Sequence, residues 1–500
     1  MSAGAFADPQ QNLQATIGLD QNLAYSRTTI QDSEFLDEEA TQFMPKAAQN
    51  IRNYRILARD VDPVSGSDVM PFNAFTTFKY GNEGMPNLAA AELQMMAPRL
   101  IDNTSGSSKG NPADSTYSGA GTFLNWVPYV AERIHCGSGE PCRQRHATEN
   151  LRSYTAEVIH CKRALCMDSY GTARRAAYNN SVGAVAQGTA TPQFFRIPIW
   201  LAHNTDDVNF HQLLPVQGFA TEFNHLIKVP SLAQLIQTDI TGAATNVIPD
   251  PSPGGVITGL SAQPNGIYCF LRLYYVVTEK AERGTYANML LTRDGLTYQT
   301  MQVARETIAT TTVATATTVT IPVKNSLNPC VQIVFIVRMV DDTVAVGTTS
   351  TNSTVDLNVP PRSISVGGTP TVVRPNWVNF QPWLNVALFD GGNRITDQRS
   401  QDDLLNSICW GFTNWFPGDL ATNIGMIPFS AFPTIENHGM GHLSLQATQV
   451  PKIVIGLPAL TSTETNGGTG ATRQIDVFYW EKDLCHMSNG AIIRQYQVLD

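Results

Sequence analysis

The sequence predicts an all-β protein made of two tandem β-sandwiches. Three observations carry that expectation. Short runs rich in aromatic and β-branched residues alternate with turn compositions, as in IYCFLRLYYVVT at 267–278 and VQIVFIVRMV at 331–340. Landmarks of the first half recur in the same order in the second half. The chain has 500 residues, more than one hydrophobic core ordinarily organises.

Taken in order, residues 1–50 are polar and without a clear period, and read as an extended arm. Residues 51–305 are expected to form the first sandwich and 306–500 the second. PNLAAAELQMMAPRLID at 86–102 has a helix-like composition but is broken at Pro98, and is read as a strand. NTSGSSKGNPADSTYSGA at 103–120 is a loop by composition. FLNWVPYVAERI at 123–134 is strand-like, and CGSGEP at 136–141 is a Gly-rich turn. HATENLRSYTAEVIHCKRAL at 146–165 is expected to be helical. Thr148 would be its N-cap, with Leu151, Tyr154, Val158 and Cys161 on one face. FFRIPIWLA at 194–202 is a strand, and IYCFLRLYYVVT follows a Pro/Gly loop at 249–266. In the second half, TIATTTVATATTVTIPV at 307–323 suits one or two half-exposed strands, with a low-complexity linker as the competing reading. VQIVFIVRMV, IPFSAF, LSLQATQVPKIVIGL and RQIDVFYWEKDL supply further strands.

The repeat is visible at several points. Laid over residues 377–405 without a gap, residues 123–151 match at Asn125/Asn379, Pro128/Pro382, Gly137/Gly391, Gln144/Gln398, Arg145/Arg399 and Leu151/Leu405. The offset is a constant 254. Downstream, Ile197-Pro198 and Ile427-Pro428 mark a second pair of strands, at an offset of 230. Both strands lead through a His-containing loop into an apolar strand. Each half then closes on an aromatic run meeting charged residues, LRLYYVVTEKAERG at 271–284 and IDVFYWEKDLCHMSNG at 475–490. Gly137 and Gly391 are expected to permit turns, and Arg145 and Arg399 to stand just before a helix.

These segments carry a family resemblance. GGNRITDQRSQDDLL at 391–405 and IPFSAFPTIENHGMGHLSLQATQVPKIVI at 427–455 resemble segments in the second barrel of double jelly-roll major capsid proteins. LNWVPYVAERIHCGSGEPCRQRHATENL at 124–151 and LYYVVTEKAERG at 273–284 resemble segments of their first barrel. Such proteins belong to nucleocytoplasmic large DNA viruses, virophages and polinton-like elements. The family's Asn-Gly is replaced here by Gly391-Gly392. The resemblance implies two tandem jelly rolls with short helices in loops. It also implies a homotrimeric capsomer of pseudo-hexagonal outline in an icosahedral shell, made in the host cytoplasm and located in the virion capsid. Implied partners are neighbouring capsomers and minor capsid proteins, with indirect contact to an internal membrane. The alternatives are a minor capsid protein or a tandem-sandwich attachment protein that binds glycans.

Composition sets further bounds. Charged residues are 15% of the chain, below the ~25% of typical soluble domains. That suits a surface largely covered by partner subunits, or equally a Thr/Ser/Asn-rich β surface. The net charge of −9 argues against a protein that coats nucleic acid. The arm is expected to face inward and serve protein contacts, since its first 25 residues hold no Lys or Arg. Those residues also lack a secretory leader, and no run approaches the ~18 apolar residues of a membrane span. Eight cysteines are too few for a disulfide scaffold and suit a reducing compartment.

Chemistry was sought among clustered side chains. Cys136, Cys142, Cys161 and Cys166, with His135, His146 and His160, offer soft metal ligands. Their spacing is looser than the usual zinc pairs, so reduced structural thiols, or a Cys136–Cys142 disulfide, is the expected state. His438 and His442 have ligand spacing for a helix, but Gly439 and Gly441 oppose one. GGTGATR at 467–473 lacks the ending of a phosphate loop. The pairs Asp206-Asp207, Asp341-Asp342 and Asp402-Asp403 read as turn residues. The chain is therefore expected to have no catalytic residues, no cofactor and no metal, and not to be an enzyme.

Overall fold

A computed structural model of the chain describes residues 55–66, 68–81, 87–102, 124–136, 141–147, 149–166, 172–184, 192–203, 213–219, 221–238, 247–250, 266–277, 296–312, 316–323, 328–339, 363–366, 369–372, 377–378, 380–396, 398–400, 423–430, 441–445, 450–459, 472–488 and 490–494. The expected arm at 1–50 lies outside them.

The first half holds β1 (Arg55–Val61), β2 (Val69–Pro71), β3 (Phe75–Tyr80), β4 (Asn87–Ala97), β5 (Arg99–Asp102) and β6 (Leu124–Trp126). After these come β7 (Cys142–His146), β8 (Glu149–Tyr154), β9 (Gln193–Pro198), β10 (Phe223–Lys228), β11 (Ile236–Thr238), β12 (Val247–Asp250) and β13 (Gly266–Val277). Among the described residues four α-helices interrupt them: α1 (Val130–His135), α2 (Ala156–Cys166), α3 (Thr172–Val182) and α4 (Leu232–Leu235). The second half opens with β14 (Leu296–Thr312), β15 (Thr317–Pro322), β16 (Pro329–Met339), β17 (Ser363–Val366) and β18 (Thr369–Val372). It continues with β19 (Asn385–Asp390), β20 (Asn393–Arg394), β21 (Arg399–Ser400), β22 (Gly425–Pro428) and β23 (Leu443–Ser444). β24 (Pro451–Leu457), β25 (Thr472–Ser488) and β26 (Ala491–Arg494) complete it.

The strand order shows the duplication. In the first half, one sheet runs β1-β13-β4-β9 and the facing sheet β3-β10-β7-β8. In the second half, the corresponding sheets run β14-β25-β16-β22 and β15-β24-β19-β20. Each half thus places its first strand (β1, β14) beside its last long strand (β13, β25), and the strand that opens the facing sheet (β3, β15) beside β10 or β24. This is the double-Greek-key order of a jelly roll, made twice, and every pairing is antiparallel. The all-β architecture of two tandem jelly rolls with short helices in the connections stands as the sequence predicts.

Two of the repeated landmarks fall on equivalent strands. The Ile-Pro runs are β9 and β22, each at the edge of its sheet, where a residue without an N–H is tolerated. The aromatic runs are β13 and β25, each interior to its sheet. The ungapped match at an offset of 254 does not mark equivalent elements. It lays helix α1 over strand β19, whereas the strand order makes β7 the counterpart of β19.

Three local expectations are corrected. Residues 123–134 are not one strand: β6 ends at Trp126, Tyr129 takes a left-handed conformation (φ 54°), and α1 follows with every residue from Val130 to His135 buried. The helix expected over 146–165 begins only at Ala156. Residues 149–154 are β8, paired with β7 across a bulge at Gln144/Arg145. Leu151 and Tyr154 are both buried within that strand, so their spacing with Val158 and Cys161 only imitates a helical face. Thr148 lies outside the described residues. Arg145 and Arg399 sit within β7 and β21 rather than before helices. Gly137 also lies outside the described residues.

Burial explains the strongest strands. β10 alternates, with Phe223, His225 and Ile227 buried. β16 does not: Cys330 through Arg338 are all buried, as are Ile475 through Glu481 of β25. Both faces of these strands are covered, which is why their sequences read as continuous apolar runs. Beyond Glu481, β25 returns to alternation.

Two glycines are required by geometry. Gly391 turns β19 into β20 at φ +59° with open space around it. Gly425 on β22 lies against Phe335 of β16, and a Cβ there would sit 2.1 Å from that ring. Gly391→Val is expected to cost about 1–2 kcal/mol through backbone strain alone. Gly425→Ala is expected to cost about 1–3 kcal/mol through forced repacking of Phe335. Denaturant midpoints of the two variants measure both costs. An unchanged midpoint for Gly391→Val would contradict the turn assignment.

Candidate functional site

The most chemically loaded region is the seam between the two barrels. From the first barrel it draws on β8, α1 and α2, and from the second on β14, β16, β25 and the segment around Trp377. Arg338, on β16, donates from Nη1 to Glu157 Oε1 on α2 at 3.1 Å and from Nη2 to Asp476 Oδ2 on the neighbouring strand β25. Arg133 of α1 reaches the same Glu157 oxygen at 3.1 Å. All four side chains are at most 2% exposed. Two guanidiniums and two carboxylates form a neutral set, which makes burial tolerable. Burial alone would weaken the Arg338 proton affinity, but Asp476 and Glu157 outweigh it and hold that pKa above its ordinary value.

Further contacts extend the seam. Arg152 on β8 donates to Thr300 Oγ1 on β14 at 2.7 Å and to the Ala202 carbonyl at 3.1 Å. Gln302 Nε2 on β14 donates to the Leu151 carbonyl at 2.5 Å. Trp377 Nε1 donates to the Pro128 carbonyl at 2.8 Å, with the Arg133 guanidinium 5.4 Å from its ring centre. His160 of α2 sits edge-on to Trp377 and Phe380 and contacts Glu132 Oε2 at 2.8 Å. Trp200 of the first barrel packs against Trp480 of the second, with ring centres 5.7 Å apart. The Arg152 guanidinium lies over the Trp200 ring, 4.0 Å from its centre.

A second cluster lies inside the first barrel. His135 closes α1, Cys136 follows it, Cys142 opens β7 and His225 lies on β10. The β10–β7 register sets His225 opposite Gln144, so Cys142 is its diagonal neighbour. His135 Nε2 and His225 Nε2 are 3.2 Å apart, and Cys142 Sγ is 3.3 Å from each. Cys136 Sγ is 3.5 Å from His135 Nδ1 and hydrogen-bonds with Cys142. All four residues are at most 1% exposed. Burial lowers the His135 pKa. Burial also drives the Cys136 thiol up. At Cys142 burial acts the same way, but the Cys136 hydrogen bond and the two imidazoles prevail and favour its thiolate.

Of the soft ligands singled out in the sequence, His135, Cys136 and Cys142 therefore converge. His146, His160 and Cys161 do not join them. His146 bonds Thr221 Oγ1 at 2.8 Å, His160 faces Glu132, and Cys161 is buried near Glu157 and Arg338. The side chain of Cys166 lies outside the described residues, as do His438, Cys409 and the three aspartate pairs. His442 is exposed. Sequence reasoning missed His225, which no local spacing connects to Cys142. The available signal was the alternation of FNHLIK, which puts His225 on the apolar face with Phe223 and Ile227. Arg338, Glu157 and Asp476 were also missed, since each is a lone charge inside an apolar run. No helix among the described residues is long and apolar enough to cross a membrane.

Comparison with known proteins places this geometry in a fold. No family model matches the chain and no curated protein matches its sequence. Solved structures do match. The chain is similar to the protein "PBCV-1 VP54", as fitted into a reconstruction of the virophage Sputnik, at TM-score 0.64 and 10% identity. That match covers 90% of this chain and 98% of the other. It is similar to the chain of the PBCV-1 virus capsid model at TM-score 0.64 and 11% identity, with the same two coverages. The Faustovirus major capsid protein gives TM-score 0.59 and 10% identity, covering 98% of this chain and all of the other. The chain thus has the double jelly-roll fold of viral major capsid proteins, over nearly its whole length.

The seam also carries a pH dependence. His203, in the turn after β9, is 2% exposed. Burial and then the Arg152 guanidinium push its pKa down to about 3. Its ordinary value is about 6.5, so the unfolded chain takes up a proton there before the folded chain does. The stabilising contribution is complete above pH ~6.5 and is lost as pH falls toward 3, amounting to about 2 kcal/mol by pH 5. Urea midpoints at pH 7 and pH 5 are expected to differ less in His203→Gln than in the wild-type chain. An equal acid loss in both would contradict this assignment.

Proposed function

We propose that this chain is a major capsid protein that assembles by contact with its own copies. The observation that carries the reading is the twice-made jelly-roll order in one chain, shared over 90% of its length with capsid proteins of large DNA viruses. Two such sandwiches side by side present two similar lobes to each neighbour. A closed trimer of three chains then gives six lobes, a near-hexagonal tile generated by threefold symmetry. The charged fraction of 15% suits a surface that is largely covered after assembly. Exposed apolar side chains on the described surface, including Phe75, Val450 and Ile493, suit the same role. The finer reading is a homotrimeric capsomer in an icosahedral shell, located in the virion and contacted by minor capsid proteins and, indirectly, by an internal membrane.

The division between the barrels belongs to this proposal. β14 runs through the boundary expected at 305/306, and all its pairing is with β25 of the second barrel. We place the division between Val277 and Leu296, so that β14 opens the second barrel.

Native mass spectrometry tests the assembly. The expected species has three chain masses, and electron images should show a three-lobed or near-hexagonal outline. A strictly monomeric protein at high concentration, with no ordered array, would overturn the reading.

A further inference from the structure

We propose that His135, Cys136, Cys142 and His225 bind a single structural zinc ion inside the first barrel. The donors already stand close to a coordination shell. One ligand atom each from His135, Cys136 and Cys142 lies within 4.8 Å of the other two. His225 Nε2 lies 3.2 Å from His135 Nε2 and 3.3 Å from Cys142 Sγ, while Cys136 Sγ stands on the other side of the His135 ring, 3.5 Å from Nδ1. A tetrahedral zinc with Zn–N of about 2.0–2.1 Å and Zn–S of about 2.3 Å needs N···N separations of about 3.3 Å and N···S separations of about 3.5 Å. The three spacings among His135 Nε2, His225 Nε2 and Cys142 Sγ differ from these by only a few tenths of an ångström, and a rotation of the Cys136 side chain away from His135 Nδ1 would bring the fourth donor in.

Hydrogen bonding alone accounts poorly for the cluster. Two imidazole Nε2 atoms and one sulfur converge at mutual distances of 3.2–3.3 Å. The Cys142 thiol has one proton, and at most one member of each pair can donate to the other. A cation at the centre engages every converging lone pair at once. Two thiolates also neutralise a divalent ion, so the site buries no net charge. The donor set is soft, with two sulfurs and two imidazoles and no carboxylate, which selects zinc over calcium or magnesium.

The placement suggests what the ion does. Its ligands come from the end of α1, the start of β7 and the middle of β10. It therefore ties a helix that borders the barrel seam to two paired strands of one sheet. In that position it acts as a staple for the first barrel and takes no part in chemistry.

The test uses the full-length chain, produced in cells and purified without chelator. Elemental mass spectrometry is expected to find about one zinc per chain. Cys142→Ser and His225→Gln should each lose most of that zinc, whereas Cys269→Ala, in β13, should retain it. Because buried variants can misfold, a second measurement uses the wild-type chain. After chelation and reloading with cobalt(II), it should show the visible bands of tetrahedral cobalt with thiolate charge-transfer absorption. Wild-type protein with no zinc and no such cobalt spectrum would overturn the proposal, and so would a Cys136–Cys142 disulfide in the freshly isolated chain.

Discussion

The Arg338 guanidinium, held between Glu157 and Asp476, is the interaction on which the relation of the two barrels depends. It lies at the C-terminal end of the most deeply buried strand of the second barrel. From there it reaches a carboxylate on its own sheet and another on a helix of the first barrel. Removing one member of such a buried set leaves a charge without compensation, typically at a cost of about 3–5 kcal/mol. Apolar contacts between sheets tolerate sliding. A planar guanidinium bonded to two carboxylates does not, so this set fixes the register of one barrel on the other. Arg133, Trp377 and His160 extend the same fixed contact, and the Arg152–Thr300 and Gln302–Leu151 bonds repeat it further along β14.

In the proposed capsomer that rigidity has a use. A tile with six similar lobes is only regular if the two lobes of each chain keep a constant relation. Duplication supplies the two lobes, and the seam sets their geometry. The first barrel carries α1 and α2 against the second, while the Gly391 turn between β19 and β20 corresponds to the β7–β8 turn at Ala147, where the backbone is also left-handed (φ 51°). The buried His/Cys cluster stands directly behind α1, so the stability of the seam helix and of that cluster are linked.

Much of the fold was legible because strand chemistry is local. The aromatic and Ile-Pro runs announced β9, β13, β22 and β25, while residues 86–102, read as one strand, are divided at Pro98 into β4 and β5. The misreadings have physical causes. Glu149–Tyr154 imitates a helical face because a strand runs directly into a helix, and short-range spacing cannot separate the two. Val130–His135 is a helix buried on all sides, so it shows no amphipathic period. The ungapped repeat matched residues that occupy different elements, since insertions around α1 shifted the true correspondence. The seam charges stayed hidden because a lone Asp or Arg inside IDVFYWE or VQIVFIVRM has no local partner. Its partner lies 138 residues away in the case of Arg338 and Asp476.

Hydrogen exchange under rising denaturant tests the central claim most directly. Amides of β7 and β8 in the first barrel and of β16 and β25 in the second are followed in the wild-type chain and in Arg338→Met. In the wild-type chain, both barrels should lose protection together, as one cooperative unit. In Arg338→Met, the two sets should separate, with one barrel opening at lower denaturant than the other. Separate opening in the wild-type chain, or coincident opening unaffected by the substitution, would contradict the account.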